Sequence, residues 1–325
     1  MKVLVTGAFG NLGKSTLEAL LKSRHKITTL DIKTRATKKL AKKFSKTNEI
    51  KCLWGSIQDK SSVTAAVTNQ DCIIHLVGVT PPFTENNPDL SYKINVIGTK
   101  NIVEVAQEEK NKPKIIFPSS VSIYGPLSPS SKLLTSDSPI NPTDVYTRNK
   151  AESEEIIQNS ALPWTILRIT AVPSPSIFKN EINLLYNIPL DQKIEFAHTK
   201  DIGTAITNTV TASTEGKILL LGGGKKSQLT NRVFVQCILD TLGLKMLPES
   251  VFKIPKRDAD WYYTGWMDSK EAQELLDYQS RSFYDYLDEI REKTKFLRLI
   301  IGFLKPIVRK ILISQSPYYK ENLQL

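Results

Sequence analysis

Cysteine and histidine are scarce in this sequence, and neither residue type is clustered. The 325 residues include three cysteines and three histidines, and the members of each set lie far apart along the chain. This spacing excludes a disulfide framework and a zinc or iron site with the usual Cys and His intervals. No metal site is therefore predicted. The small number of thiols indicates a reducing compartment, so the expected location is the cytoplasm.

Long apolar runs are also missing. No uncharged apolar stretch reaches the roughly 18 residues of a transmembrane helix. The first residues, MKVLVTGAFG, lead directly from a short apolar stretch into glycines, which is not the pattern of a signal peptide. Signatures of zinc fingers, RNA-recognition domains and helix-turn-helix domains are absent, so nucleic acid is not a predicted partner. The net charge of +11 still favours contact with phosphates and anionic membranes.

Short apolar strands alternate with helical periods through the first half of the chain. Strands are predicted at residues 3–5, 26–31, 51–54, 72–77 and 114–118, and helices at 14–23, 36–44, 61–68 and 91–109. Such alternation predicts an α/β fold, a doubly wound parallel sheet of the Rossmann type with helices on both faces.

A glycine-rich loop joins the first predicted strand to the first predicted helix. Residues 6–13 read TGAFGNLG. Gly7 can take the tight turn, Gly10 lets a pyrophosphate approach the backbone, and Gly13 allows the helix to pack closely on the strand. The N-terminus of the helix then directs its amide groups at the phosphates. The predicted dinucleotide contacts in this loop are Gly7, Phe9, Gly10, Asn11, Leu12 and Gly13.

Asp31 ends the second predicted strand and indicates which dinucleotide is bound. A carboxylate at this place accepts hydrogen bonds from the adenosine ribose hydroxyls and repels a 2′-phosphate. NAD is therefore the predicted cofactor. Lys33 and Arg35 follow closely and keep NADP open as the alternative.

Seven segments in order carry a resemblance to a known family. They read TGAFGNLG at 6–13, DCIIHLVG at 71–78, NVIGTKNIVEVA at 95–106, IIFPSSVSIYG at 115–125, YTRNK at 146–150, ILRITAV at 166–172 and HTKDIGTA at 198–205. Together they resemble the extended short-chain dehydrogenase/reductase family, the group of NAD-dependent epimerases and dehydratases. The resemblance implies a Rossmann core at 1–168 with 197–224 returning to it. It also implies a small substrate lobe at 169–196 and 225–290, followed by a tail at 291–325.

Tyr146 and Lys150 supply the predicted proton chemistry. They are four residues apart and share one face of a helix. An ammonium group near the phenol lowers the tyrosine pKa, so Tyr146 is predicted as acid or base at a secondary alcohol or ketone. The resemblance implies that Lys150 also holds the nicotinamide ribose, that Ser120 orients the substrate oxygen and that Asn95 supports the proton relay. It further implies cofactor contacts by Ser56, Ile57, Leu76 and Val77, although Ser56 stands where the family usually has Asp.

The reaction type remains open between three hypotheses. The first is a dehydrogenase or reductase that exchanges its cofactor. The second is a redox-neutral epimerase acting on a sugar or nucleotide sugar with retained NAD. The third is a non-catalytic dinucleotide-binding protein at a membrane. Val121 after Ser120 counts against a dehydratase. Only Lys179 and Lys193 are cations between Arg168 and His198, which disfavours a diphosphate substrate, although Lys225, Lys226 or Arg232 remain alternatives for such a contact.

A basic amphipathic helix is predicted in the tail. Residues 296–313 read FLRLIIGFLKPIVRKILI, and Arg298, Gly302, Lys305 and Arg309 form one stripe at 100° per residue. This pattern fits a helix lying in an anionic membrane surface, with a lipid-like substrate and a peripheral location, or a helix docked on the protein. The resemblance also implies a homodimer through helices starting near residues 91 and 146.

Overall fold

The computed structural model describes residues 1–46, 50–173 and 182–324. Seven parallel strands form its central sheet, in the order β3-β2-β1-β4-β5-β6-β8, and two antiparallel strands, β7 and β9, form a second sheet. The strands are β1 (Lys2–Thr6), β2 (Lys26–Asp31), β3 (Ile50–Trp54), β4 (Cys72–His75), β5 (Lys114–Ser120), β6 (Trp164–Ile169), β7 (Lys193–Glu195), β8 (Lys217–Leu221) and β9 (Gln228–Thr230).

Helices cover both faces of the seven-stranded sheet, which confirms the predicted fold class. They are α1 (Asn11–Leu20), α2 (Arg35–Phe44), α3 (Lys60–Val67), α4 (Phe83–Asn86), α5 (Pro88–Tyr92), α6 (Gly98–Glu108), α7 (Val145–Gln158), α8 (Ile182–Asn187), α9 (Thr199–Asn208), α10 (Asn231–Thr241), α11 (Lys270–Leu276), α12 (Phe283–Lys293), α13 (Lys295–Gln315) and α14 (Tyr319–Asn322). Short 3₁₀ turns occupy Val121–Tyr124, Lys225–Ser227, Glu249–Val251 and Asp258–Asp260.

Alternate residues of each central strand enter different apolar cores. In β1, Val3 and Val5 belong to the core under α1 and α9, whereas Leu4 belongs to the core under α3, α6 and α7. A strand buried on both faces needs apolar side chains at nearly every position. This requirement explains why continuous apolar runs predicted the strands well.

The predicted helix at 91–109 is three elements in the structure. Helix α5 ends at Tyr92, a π-helical turn covers Lys93–Ile97, and α6 begins at Gly98. A π-turn accommodates one extra residue in a helical path. Hydrophobic periodicity did not reveal this turn, because it leaves Val96 and Ile102 buried as a regular helix would.

The C-terminal residues build a third core, rich in aromatic side chains. Tyr186, Phe196, Phe252 and Phe283 are fully buried in it, and α10 and α12 pack over it. Since each aromatic side chain buries a large apolar area, few residues suffice to hold this lobe together.

The predicted tail helix is present as α13, but it is kinked. Its backbone leaves the helical region at Leu304, where φ is −107° and ψ is 16°. Pro306 explains the break, since its ring clashes with the carbonyl of residue 302 and its nitrogen carries no hydrogen. Within the described ranges, no helix combines the length and the apolar character that crossing a membrane requires.

Candidate active site

The glycine-rich loop lies at the carboxyl end of β1 and is tightly packed. Gly7 has a φ of +68°, and its amide donates to the Leu30 carbonyl at 3.0 Å. A Cβ atom on Gly7 would lie 2.9 Å from the Val77 nitrogen, and one on Gly13 would lie 2.4 Å from the Gly7 oxygen. Side chains at these two positions would therefore collide with backbone.

Helix α1 begins without a side-chain cap, so its first amide groups keep free hydrogens. These donors and the partial positive charge of the helix end favour an anion directly outside the loop. The glycine loop therefore fits the pyrophosphate of a dinucleotide.

Asp31 is fixed beside the same loop. Its carboxylate accepts hydrogen bonds from the amides of Phe9 at 3.1 Å and Ile32 at 2.8 Å. Burial raises the pKa of Asp31, and these two amide donors lower it. The Phe9 ring stacks on Trp54 at 6.0 Å between centroids, so Phe9 presents its amide to Asp31 while its ring packs inward.

A buried hydrogen-bonded chain connects β1 with the π-helical turn. The Thr6 hydroxyl donates to His75 Nδ1 at 2.7 Å, and His75 Nε2 donates to the Thr99 hydroxyl at 3.1 Å. Thr99 in turn donates to the Asn95 carbonyl at 2.6 Å, which fixes the direction of the chain and the histidine tautomer. Burial and the charge of Lys150 lower the pKa of His75 to about 3. His75 is therefore a neutral link between β4 and Asn95.

Asn95 lies on the π-helical turn and holds the chain that follows β4. Its Oδ1 accepts from the Val79 amide at 2.8 Å, and its Nδ2 donates to the Val79 carbonyl at 3.0 Å. A Cβ atom on Gly78 would lie 3.4 Å from Asn95 Oδ1 and 4.0 Å from Lys150 Nζ. The structure thus places both Asn95 and Lys150 next to Gly78.

Tyr146 and Ser120 meet between α7 and the end of β5. The Ser120 hydroxyl lies close enough to the Tyr146 phenol to lower its pKa, and it contacts the Ser122 hydroxyl at 2.8 Å. The pKa of Tyr146 is raised to about 12, mainly by burial; the Ser120 hydroxyl lowers it and the nearby charge of Asp144 adds to the rise. The phenol is therefore protonated in this environment at neutral pH.

Lys150 lies one turn beyond Tyr146 on α7. Its ammonium donates to the Pro118 carbonyl at 2.8 Å and lies 4.4 Å from the centre of the Phe117 ring. Burial lowers the pKa of Lys150 to about 8, opposed by the charge of Glu154. The amine nevertheless carries most of its charge at neutral pH, close to Gly78 and to the end of β5.

The remaining predicted cofactor residues follow β3 and β4 directly. Leu76 and Val77 border the Gly7 turn. The Ser56 hydroxyl accepts from the Gln58 amide at 3.1 Å. The Ile57 side chain instead packs against Gly98 inside the core, so only its backbone could contact a ligand. The roles assigned to all these residues stay predictions.

Sequence reasoning missed Glu85, whose carboxylate accepts from the amides of Val145 at 3.4 Å and Tyr146 at 3.3 Å. It also missed Phe117 and Pro118 as contacts of Lys150. No local pattern identifies Glu85, because its position opposite α7 depends on the path of the chain after β4. Phe117 and Pro118 lie within a recognised segment, but strand alternation alone does not show that Lys150 reaches them.

These features are those of a dinucleotide-binding α/β protein. Its Ser120, Tyr146 and Lys150 lie together at the carboxyl edge of the sheet. Residues 3–222 match the NAD dependent epimerase/dehydratase family, and the chain belongs to this family. Membership confirms the resemblance seen in the sequence and confirms NAD as the cofactor. The oxidoreductase or epimerase type of activity is also supported.

Two curated relatives match part of the chain. A protein of Methanocaldococcus jannaschii described as an uncharacterized membrane protein is 30% identical over 156 residues, covering 47% of this chain and 41% of its own length. The D-erythronate dehydrogenase of Haemophilus influenzae is 27% identical over 162 residues, covering 49% of this chain and 50% of that enzyme. The match thus spans half or less of each of these relatives.

A solved structure of similar fold is the UDP-glucuronic acid 4-epimerase of Bacillus cereus, in complex with NAD and a fluorinated UDP-glucuronic acid. The TM-score is 0.75 at 19% identity, and the likeness covers 91% of this chain and 100% of that one. At this identity the likeness shows the fold alone.

Proposed function

We propose that this protein is an NAD-dependent oxidoreductase that acts at a secondary alcohol or ketone, with Tyr146 as acid and base. The observation that carries the proposal is the closeness of the Ser120 hydroxyl to the Tyr146 phenol, with Lys150 one helical turn away on α7. All three side chains lie at the carboxyl edge of the sheet, where ligands of open α/β sheets bind.

The glycine loop, Asp31 and Lys150 are the residues that would hold NAD, which when bound supplies the hydride acceptor. Ser120 orients the oxygen of the substrate by hydrogen bonding. In alcohol oxidation, the phenolate form of Tyr146 accepts the hydroxyl proton while the hydride leaves the carbon that bears that hydroxyl. In ketone reduction, Tyr146 donates that proton to the oxygen. The Lys150 charge stabilises the phenolate, which is present before oxidation and is left after reduction.

Contacts in the lobe support a substrate without a diphosphate. The Lys193 ammonium donates to the Ser131 carbonyl at 3.0 Å and lies over the Trp266 ring. Arg232 pairs with both Asp191 and Glu249. These two cations are thus already engaged, whereas Lys179 lies outside the described residues and Lys225 and Lys226 remain exposed.

Residue 195 also offers no positive charge to an anionic substrate. Glu195 is fully buried and accepts from the amides of Met267 at 2.8 Å and Gly224 at 3.2 Å. Residue 195 therefore supplies no cation to a phosphate. A screen for substrates should therefore start with polyols and with lipid-like alcohols and ketones.

Release of the cofactor distinguishes the reaction types. The purified protein is denatured and the supernatant is assayed for nicotinamide dinucleotide. An empty protein that binds NADH reversibly supports a dehydrogenase or reductase. Stoichiometric NAD released only on denaturation supports the epimerase alternative. Failure to bind either NAD(H) or NADP(H) contradicts the proposal.

A Tyr146→Phe variant tests the chemistry itself. Loss of the phenol proton should lower turnover by about 10²–10⁴-fold with unchanged NADH affinity, because only the acid and base step is removed. Tyr284→Phe, at an exposed tyrosine on α12, is the matched control and should keep full activity. A Tyr146→Phe protein with wild-type turnover would show that another group moves the proton.

A further inference from the structure

An exposed apolar ridge runs along the outer side of α13. Phe296, Leu299, Ile300, Phe303 and Ile307 form it, and we call this set the α13 ridge. Their spacing of three, four and seven residues places them near one helix face. Phe303 is 88% exposed, Phe296 77%, Leu299 65% and Ile307 56%. Single exposed apolar residues are ordinary, but a contiguous group of this size indicates an interaction surface.

The opposite side of α13 is fastened to the C-terminal lobe. Ile301 is buried there, and the Arg309 guanidinium donates to the carbonyls of Met246 at 2.6 Å and Lys245 at 3.1 Å. The Tyr186 hydroxyl donates to the Leu312 carbonyl at 2.7 Å. Ile301 fixes the segment before the kink, which carries Phe296 to Phe303, and the contacts of Arg309 and Leu312 fix the segment after it, so the α13 ridge is directed outward.

The charge of α13 identifies the partner. Its sequence holds five cations, Lys295, Arg298, Lys305, Arg309 and Lys310, and no Asp or Glu. Lys305 and Lys310 are exposed. A symmetric contact between two copies of this face would bring two such sets of cations together, which is unfavourable. An anionic surface complements them instead.

We propose that the α13 ridge docks on an anionic lipid surface, with the helix lying in the plane of the interface. Exposed aromatic and aliphatic side chains enter the boundary between headgroups and acyl chains, and lysine stems reach back to the lipid phosphates. The lobe contacts of Arg309 and Tyr186 then hold the enzyme body above the membrane. This proposal does not rest on the redox function.

Vesicle binding of the full chain tests the proposal. Binding is measured by co-sedimentation with vesicles of phosphatidylcholine mixed with phosphatidylglycerol, and with vesicles of phosphatidylcholine alone. The double variant Phe296→Ser/Phe303→Ser should lower the partition coefficient on the mixed vesicles at least about tenfold, since two large apolar groups no longer leave water. Tyr284→Ser, at an exposed aromatic residue on the neighbouring helix α12, is the matched control and should bind as the wild type does.

A second pair of variants tests the role of charge. Lys305→Gln/Lys310→Gln should weaken binding to the mixed vesicles by about tenfold or more, because each cation near an anionic surface contributes favourably. Lys38→Gln/Lys39→Gln removes the same charge from exposed positions on α2 and should have little effect. Equal losses in both pairs would show attraction by the overall charge of the protein rather than docking through α13.

Two results overturn the proposal. One is a wild-type protein that does not sediment with either kind of vesicle. The other is a dimer, detected by sedimentation equilibrium, that Phe296→Ser/Phe303→Ser dissociates, because the ridge would then be covered by a second copy. Far-ultraviolet circular dichroism of each variant verifies that the fold is intact.

Discussion

Charged side chains are paired and buried differently in the parallel sheet and in the C-terminal lobe. In the sheet, the Arg168 guanidinium on β6 is buried against the Glu154 carboxylate at 2.7 Å and also donates to the Tyr124 hydroxyl at 2.8 Å. In the lobe, Arg232 pairs with Asp191 and Glu249 at the surface. The buried acid of the lobe, Glu195, is held by backbone amides and the amide of Gln228.

The difference shows how each region is stabilised. The sheet buries opposite charges together, so the loss of one partner leaves an unpaired buried charge. The lobe relies on aromatic packing and neutral donors, and the ion pairs of its Arg232 are solvated and weak. Mutations that remove equivalent groups from the two regions should therefore have unequal effects.

The largest expected effect is at the buried ion pair. Arg168→Met should lower the free energy of unfolding by about 3–5 kcal/mol, because Glu154 remains buried without its cation. Arg232→Met in the lobe should cost about 1 kcal/mol or less. Urea denaturation measures both values. Similar losses for the two variants would mean that the surface pairs stabilise the lobe as strongly as the buried pair stabilises the sheet.

The buried acid of the lobe should make stability depend on pH. Burial raises the pKa of Glu195 from 4.5 to about 7, although its hydrogen-bond donors lower it. Between these values the folded state binds more protons than the unfolded state, so stability falls as pH rises, by up to about 3 kcal/mol.

Glu195→Gln should abolish that dependence. Urea denaturation of the wild type and the variant between pH 4.5 and 7 checks this expectation, with the exposed Glu274→Gln as control. Parallel stability curves for the wild type and Glu195→Gln would contradict a raised pKa.

Two glycine substitutions compare how closely the cofactor loop and α13 are packed. Gly13→Ala in the cofactor loop should destabilise the protein by about 2–3 kcal/mol, because the new Cβ would lie 2.4 Å from the Gly7 oxygen. Gly302→Ala on α13 should stabilise it by up to about 1 kcal/mol, since no atom lies within 4 Å of the added Cβ. Thermal unfolding of both variants measures the two shifts, and a stabilised Gly13→Ala protein would contradict the packing described for the loop.

The smallest expected effect concerns the choice of dinucleotide. Asp31→Ser should reduce the preference for NADH over NADPH by about tenfold, because a charge-assisted hydrogen bond to the ribose and the repulsion of the 2′-phosphate are both lost. Asp240→Ser, at an exposed position on α10, is the control in the lobe. Fluorescence titration with the two reduced dinucleotides gives the ratio. An unchanged ratio would assign the discrimination to Lys33 or Arg35.

Most of the sheet could be predicted from sequence because its signals are local. The strand predicted at 26–31 matches β2, and the other predicted strands of the first half differ from the observed ones by one or two residues at an end. Fewer contacts of the candidate active site could be predicted from the sequence. Tyr146 and Lys150 are close in sequence, whereas the approach of Ser120 to Tyr146 and of Pro118 to Lys150 requires β5 and α7 to pack together.

The tail shows the limit of a local pattern. The stripe of Arg298, Gly302, Lys305 and Arg309 was expected on the polar side of an amphipathic helix. In the structure Arg309 faces the lobe, where its guanidinium binds two carbonyls, while Phe303 points into solvent. A helical wheel gives relative directions on a straight helix, but the kink and the docking contacts decide which direction is outward.

The sequence by itself determined the parallel sheet, the glycine loop and the spacing of Tyr146 and Lys150, because each depends on interactions within one or two neighbouring elements. Only the tertiary structure determined the hydrogen-bonded chain through His75, the hydrogen bonding of Asn95 to Val79 and the outward face of α13. These features join residues far apart in sequence. Their geometry is set by how whole elements pack, which no residue pattern within a single element encodes.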